Sequence, residues 1–216
     1  MRLTCVRALL IAILLVSAAP AEAQLCAGSP SFRAQPYLAG LTAGFTEGAH
    51  GIGGFFGTGG EMLFAIGSIG VLNYRELDAL ATQISGVVGA ELDVSQTRRV
   101  FVCPVATIGF GAGPDFGDVD VSTFSLGAGG EVGVIAYEVN NLMIVPTFGL
   151  LVDYSRISTE FAGTDESTSD TSGRASVGVG FIFSEAIGLT PAISVPFSAA
   201  GSDPTFVIQL SLGFGN

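Results

Sequence analysis

The chain has 216 residues, of which 49% are hydrophobic and only 12% charged, with 31 glycines and no tryptophan. That apolar fraction excludes a disordered chain. Its 19 acidic against 8 basic side chains, a formal charge of −11, exclude a nucleic-acid partner, because such a polyanion is repelled by phosphate backbones.

Residues 1–23 read as a secretory signal peptide. Arg2 and Arg7 form a basic start, Ala8 to Ala19 is an apolar run too short to span a membrane as a helix, and Ala21-Glu22-Ala23 is a small-x-small cleavage site. Processing there starts the exported chain at Gln24. The rival, a lipid anchor on Cys26, is disfavoured because Leu25 stands where lipoprotein processing resembles a small residue. Cys5 leaves with the signal, so Cys26 and Cys103 remain. An even pair in an oxidising compartment predicts one disulfide, with two buried free thiols as the other reading.

After the signal, no apolar run reaches the length of a spanning helix, and the pattern turns to a period of two. Phe124, Leu126, Ala128, Val132, Val134 and Ala136 alternate with smaller or polar residues. Ala175, Val177, Val179, Phe181 and Phe183 do the same, as do Phe206, Ile208, Leu210, Leu212 and Phe214. One face of each strand is therefore greasy and the other small or polar. The pattern predicts strands near 35–46, 49–58, 61–74, 81–94, 98–111, 119–138, 142–160, 173–183, 187–198 and 205–214.

The connections alternate too. Thr58-Gly59-Gly60, Ser95-Gln96-Thr97, Val139-Asn140-Asn141 and Ser184-Glu185-Ala186 are tight; Tyr74–Leu80, Ala112–Asp118, Phe161–Ser172 and Ala199–Pro204 are longer and more acidic, with Thr46-Glu47-Gly48 the exception. A sandwich gives no reason for such sidedness, whereas a sheet in hydrocarbon must close on itself to satisfy its edges. The expected fold is all-β: a closed antiparallel up-and-down transmembrane barrel of about ten strands over residues 35–216, with eight strands as the alternative and residues 24–34 as a periplasmic N-terminal segment. Its abundant inward glycine relieves crowding in a narrow lumen.

From Gln35 to Phe214 the chain resembles the small bacterial outer-membrane β-barrels of the OmpA/OmpX kind, through its signal peptide, hairpin periodicity and terminal Phe206-to-Phe214 strand. Members commonly end on an aromatic residue, whereas Phe214 is followed here by Gly215 and Asn216. Without tryptophan, the tyrosines Tyr37, Tyr74, Tyr137 and Tyr154 are expected to serve as interfacial rings beside phenylalanine. The resemblance implies the outer membrane as location, and its lipids and the barrel assembly machinery as partners of a monomeric protein.

Strand parity points Glu91 and Asp93 inward on the fourth strand, and Arg99 and Cys103 inward on the fifth. A turn centred on Gln96 would set Asp93 opposite Arg99, and a loop centred near Asp115 would bring Glu131 to the other side of Arg99. An Asp93–Arg99–Glu131 ion-pair cluster in the lumen is expected, more as lumen fill than as a substrate site. Asp153 and Arg174 also face inward, at registers too far apart to pair. A Cys26–Cys103 bridge would draw residues 24–34 into or beneath the lower mouth as a plug. The acidic run Asp165–Asp170 reads as a solvated loop. No cofactor or metal motif occurs in the sequence.

These features predict a non-enzymatic barrel with an envelope-structural or surface-interaction role. A narrow pore for small solutes is the alternative. A third reading is a lipid-modifying enzyme that would use His50, the single histidine, in or beside the first outer loop.

Overall fold

A computed structural model describes residues 25–75, 79–95, 97, 99–113, 119–161, 164–197 and 203–215; the predicted signal peptide lies outside them. After one 3₁₀ turn at Leu25–Ala27 come β1 (Tyr37–Phe45), β2 (Ala49–Gly59), β3 (Leu63–Tyr74), β4 (Ala79–Ala90), β5 (Leu92–Asp93) and β6 (Val100–Ala112). They are followed by β7 (Val119–Val134), β8 (Tyr137–Val139), β9 (Leu142–Phe161), β10 (Thr164–Phe183), β11 (Ile187–Pro196) and β12 (Thr205–Phe214).

Two of these strands are continuations. Gly89 faces Val105 and Leu92 faces Val102 in one unbroken register, so β5 extends β4 across the point where Pro104 has no N–H to give. Between Gly133↔Thr147 and Tyr137↔Ile144, four residues on one strand match three on the other, a bulge beside Pro146 that separates β8 from β7. Ten full strands thus form the ring. Each pairs antiparallel with its neighbours, and β1 closes on β12 from Tyr37↔Phe214 to Phe45↔Phe206. Ten strands are what the periodicity predicts; the eight-strand alternative is excluded.

Strand parity sorts the side chains as expected. Leu41, Ile52, Phe56, Ile69, Ile84, Val88, Ile108, Leu126, Val177 and Leu210 are exposed on the outer face. Stacked rings pin the closing seam at both ends, Tyr37–Phe214 at 5.9 Å and Phe45–Phe206 at 6.5 Å between centroids. Tyr37, Tyr137 and Tyr154 are exposed on this face. Tyr74 is a correction: its even position on β3 turns it into the lumen, where it is 5% exposed and packs with Ala49, Leu72, Ala81, Val121 and Ile157.

The strands differ in length, and that difference shapes one end. The 9 and 10 residues of β1, β11 and β12 match one tilted membrane crossing, whereas β9 and β10 have 20 residues each. Their extra turns of ladder, with the start of β7, stand beyond the ring as a flap at the end opposite the N-terminal segment. The expected loop over Phe161–Ser172 is therefore corrected. Thr164 onward is strand, paired with β9 from Thr164↔Phe161 down to Phe183↔Leu142. Both faces of this stretch are wet, so no apolar alternation marks it in the sequence.

Candidate functional site

The lumen is closed at one end by the chain itself. Cys26 is bonded to Cys103 of β6, as the cysteine count predicts. Cys26, Ser29 and Pro30 are fully buried, and Phe32 is nearly so. Polar groups of the plug find partners in the wall. Thr190 Oγ1 donates to the Gly28 carbonyl at 2.8 Å, and Gln209 Nε2 donates to Ser29 Oγ at 2.7 Å. Ser31 Oγ donates to Glu91 Oε1 at 2.7 Å, while Arg33 Nη2 donates to the Glu91 carbonyl at 2.8 Å. Phe32 stacks on Phe64 at 5.8 Å.

Backbone crowding explains two glycines here. Gly28 takes φ +77°, and a β-carbon on Gly180 would run into the Gly28 backbone, so neither position admits a larger residue without displacing the plug. Parity places Glu91 inward, but nothing local in the sequence marks it as the residue that holds the plug.

Above the plug lies an apolar layer, in which Leu38, Phe55, Phe64, Ile66, Val87, Val105 and Leu151 form one buried cluster with Phe32. Next comes a polar belt. Ser68 and Ser85 hydroxyls meet at 2.6 Å. Arg174 and Asp153, expected to stand apart, are paired, with Nη2–Oδ2 at 2.9 Å and Nε–Oδ2 at 3.1 Å. Cross-strand partners are Arg174↔Leu151 and Asp153↔Ser172, so the two are diagonal neighbours, and the length of the arginine spans the offset. Arg174, Glu131, Thr147, Ser176, Thr190 and Gln209 border a cavity of about 70 Å³. A second cavity of about 50 Å³ lies beside Thr42, Gln83 and Ser85. Each holds a few waters at most.

The expected Asp93–Arg99–Glu131 cluster is not assembled by the register. Asp93 faces Phe101 rather than Arg99, and Glu131 faces Cys103. The cause is local to the turn. Asp93 Oδ1 accepts from the Ser95 amide at 3.1 Å, and Ser95 Oγ accepts from the Arg99 and Val100 amides at 2.8 and 3.1 Å. This side-chain scaffold lengthens the turn and shifts the register by two residues. Arg99 ends exposed at the plug end, while Glu131 is buried in the lumen wall.

His50 stands on the outer face near the flap end, cross-strand from Asn73, and its Nδ1 accepts from Arg75 Nε at 3.4 Å. Among the described residues, no nucleophile or acid that would complete an acid–base pair with it is a bonded partner. The described residues contain no cluster of three metal-ligating side chains.

No family model and no curated protein matches the chain. Several solved structures do at low identity. The N-terminal β-barrel domain of Pseudomonas aeruginosa OprF is 12% identical, with a TM-score of 0.39 over 83% of this chain and 98% of that one. Neisserial surface protein A is 11% identical, with a TM-score of 0.43 over 83% and 97%. LpxR from Salmonella typhimurium is 10% identical, with a TM-score of 0.37 over 82% and 100%. No activity follows from likeness at that level.

Proposed function

We propose that the chain is a non-enzymatic bacterial outer-membrane β-barrel. It spans the membrane as a monomer without conducting, and serves an envelope-structural or surface-interaction role with its flap turned outward. One observation carries the reading: the outer face of the ring exposes large apolar side chains on every full strand, with small residues between them, while among the described residues the lumen holds the plug and cavities of about 70 and 50 Å³. A single aliphatic side chain fully left in water costs roughly 1.5–3 kcal/mol, so a belt of this extent needs lipid around it. Outer-membrane lipids are the first partner, and the barrel assembly machinery is the second, a partner that rests on the resemblance to small outer-membrane barrels.

The test is electrophoresis of detergent-extracted protein with and without boiling, followed by planar-bilayer recording. The expected results are a heat-dependent change in migration and no steady conductance. Recovery of the protein as a soluble monomer without detergent overturns the membrane reading, and a steady open level overturns the closed lumen.

A further inference from the structure

The disulfide that tethers the plug is sealed inside the ring. Cys26 is 0% exposed and Cys103 1%. Cys103 lies three residues into β6 from Val100, about 10 Å along the strand from its plug-end start. Phe101, Ile135, Val145 and Ile182 form one buried cluster with the two cysteines, and Met143 packs against it.

The plug also crosses the line on which the ring closes. On one side of the β12–β1 seam, Gln209 of β12 donates to Ser29, and a β-carbon added to Gly213 would meet Gln35 at 2.7 Å. On the other side, the Gly59 amide of β2 donates to the Pro36 carbonyl at 3.0 Å, and a β-carbon added to Gly59 would meet Phe32 at 2.7 Å. The tether runs to the opposite wall, since β6 is the fifth full strand of the ring counted from β1.

A disulfide is made by exchange: the oxidant first bonds one cysteine as a mixed disulfide, and the thiolate of the second cysteine then displaces it. Whichever cysteine reacts first, the second step brings Cys26, Cys103 and the oxidant's sulfur to one place. A folded domain of 100 residues has a radius of gyration of about 13 Å, whereas a ring of ten strands encloses little more than its own side chains. Withdrawing the plug does not help. Cys26 then carries the oxidant outside the mouth, and the thiolate that must displace it stays on the inner wall.

We infer that the Cys26–Cys103 bond is made before β12 meets β1, by a protein thiol–disulfide oxidant acting on the open chain. The ring then closes around a plug already fixed to the strand opposite the seam. One S–S bond forms in the chain as one breaks in the oxidant, which takes up two electrons and the two thiol protons and leaves as a dithiol. The inference goes beyond the envelope role, because it names a class of reaction that must act on this chain before the barrel exists.

The processed chain, from Gln24 onward, carries only these two cysteines. It is folded into detergent micelles under reductant until heat-dependent migration shows closure, and the reductant is removed. A thioredoxin-fold oxidant in its disulfide form is then added, with the same reduced chain held open in urea as the control. Thiols are counted with a mass-tagged maleimide after denaturation. The open chain should lose both thiols at least about tenfold faster than the closed one. Equal rates overturn the inference. A reduced chain that closes only once it has been oxidised supports it, because closure then waits for the bond.

A second arm needs no refolding. Pulse-labelled cells producing the protein are quenched at successive times, closed and open species are separated without boiling, and the thiols of each are counted. The closed species should hold no alkylatable thiol at any time. A closed species whose thiols disappear only later in the chase overturns the inference and leaves the barrel reading intact.

Discussion

Asp153 and Arg174 hold the most consequential charge pair in the lumen, with side chains 7% and 17% exposed. A buried pair is weak evidence of net stabilisation, because desolvation offsets the attraction. Breaking it is costly, since the survivor remains charged in a poorly solvated place. Asp153→Asn and Arg174→Met should each destabilise the folded protein by about 3–5 kcal/mol, and the double substitution by less than their sum. Urea unfolding in micelles measures this; additive costs would mean the two side chains act independently. Parity alone reveals that both residues face inward. Their pairing was not legible, because it depends on a long side chain reaching diagonally across a ladder. The same limit applies to Arg99, whose position was decided by the hydroxyl of Ser95 in the turn rather than by any pattern in the strands.

At the scale of elements, the plug is packed inside the ring of ten strands rather than lying beneath its mouth. Its hold is divided between a covalent bond across a sequence separation of 77 and hydrogen bonds to Glu91 between β4 and β5, Thr190 of β11 and Gln209 of β12. Cys103→Ser should lower unfolding stability by about 4 kcal/mol, since the reduced chain regains the entropy of a long open loop when unfolded. A thermal melt in micelles reads the loss, and an unchanged midpoint would show that the noncovalent contacts suffice. The disulfide itself was readable from two cysteines in an exported chain. Where the plug lies, and that Gly180 makes room for Gly28, required the folded wall. Strand β10 shows a further limit of pattern. Its lower half alternates because one face meets the apolar exterior, but Asp165–Ser172 has water on both faces and reads as a loop.

For the whole molecule, the question is which medium the outer face meets. Ile69 sits midway along β3 and is 62% exposed. If that exposure is to water, Ile69→Arg should be nearly neutral. Within a bilayer it should cost about 2–4 kcal/mol, as an arginine near the midplane does in other barrels. Chemical unfolding of the protein in lipid vesicles separates the two, and a cost under about 0.5 kcal/mol would argue against the membrane. By contrast, a conservative change on the flap, such as Thr168→Ser, should leave this stability alone because the flap stands outside the ring.

The all-β class, the ten strands, their inward and outward faces and the cysteine pair were determined by the sequence itself. Each of these follows from a side-chain period of two or from composition, which short-range physics imposes directly on the order of residues. Register, the Asp153–Arg174 pair, the dispersal of Asp93, Arg99 and Glu131 and the seat of the plug were decided only in the tertiary structure. In an antiparallel ring, a two-residue shift preserves every apolar face while changing every cross-strand partner. Turn hydrogen bonds and the space left by glycine therefore make choices to which the hydrophobic pattern is indifferent.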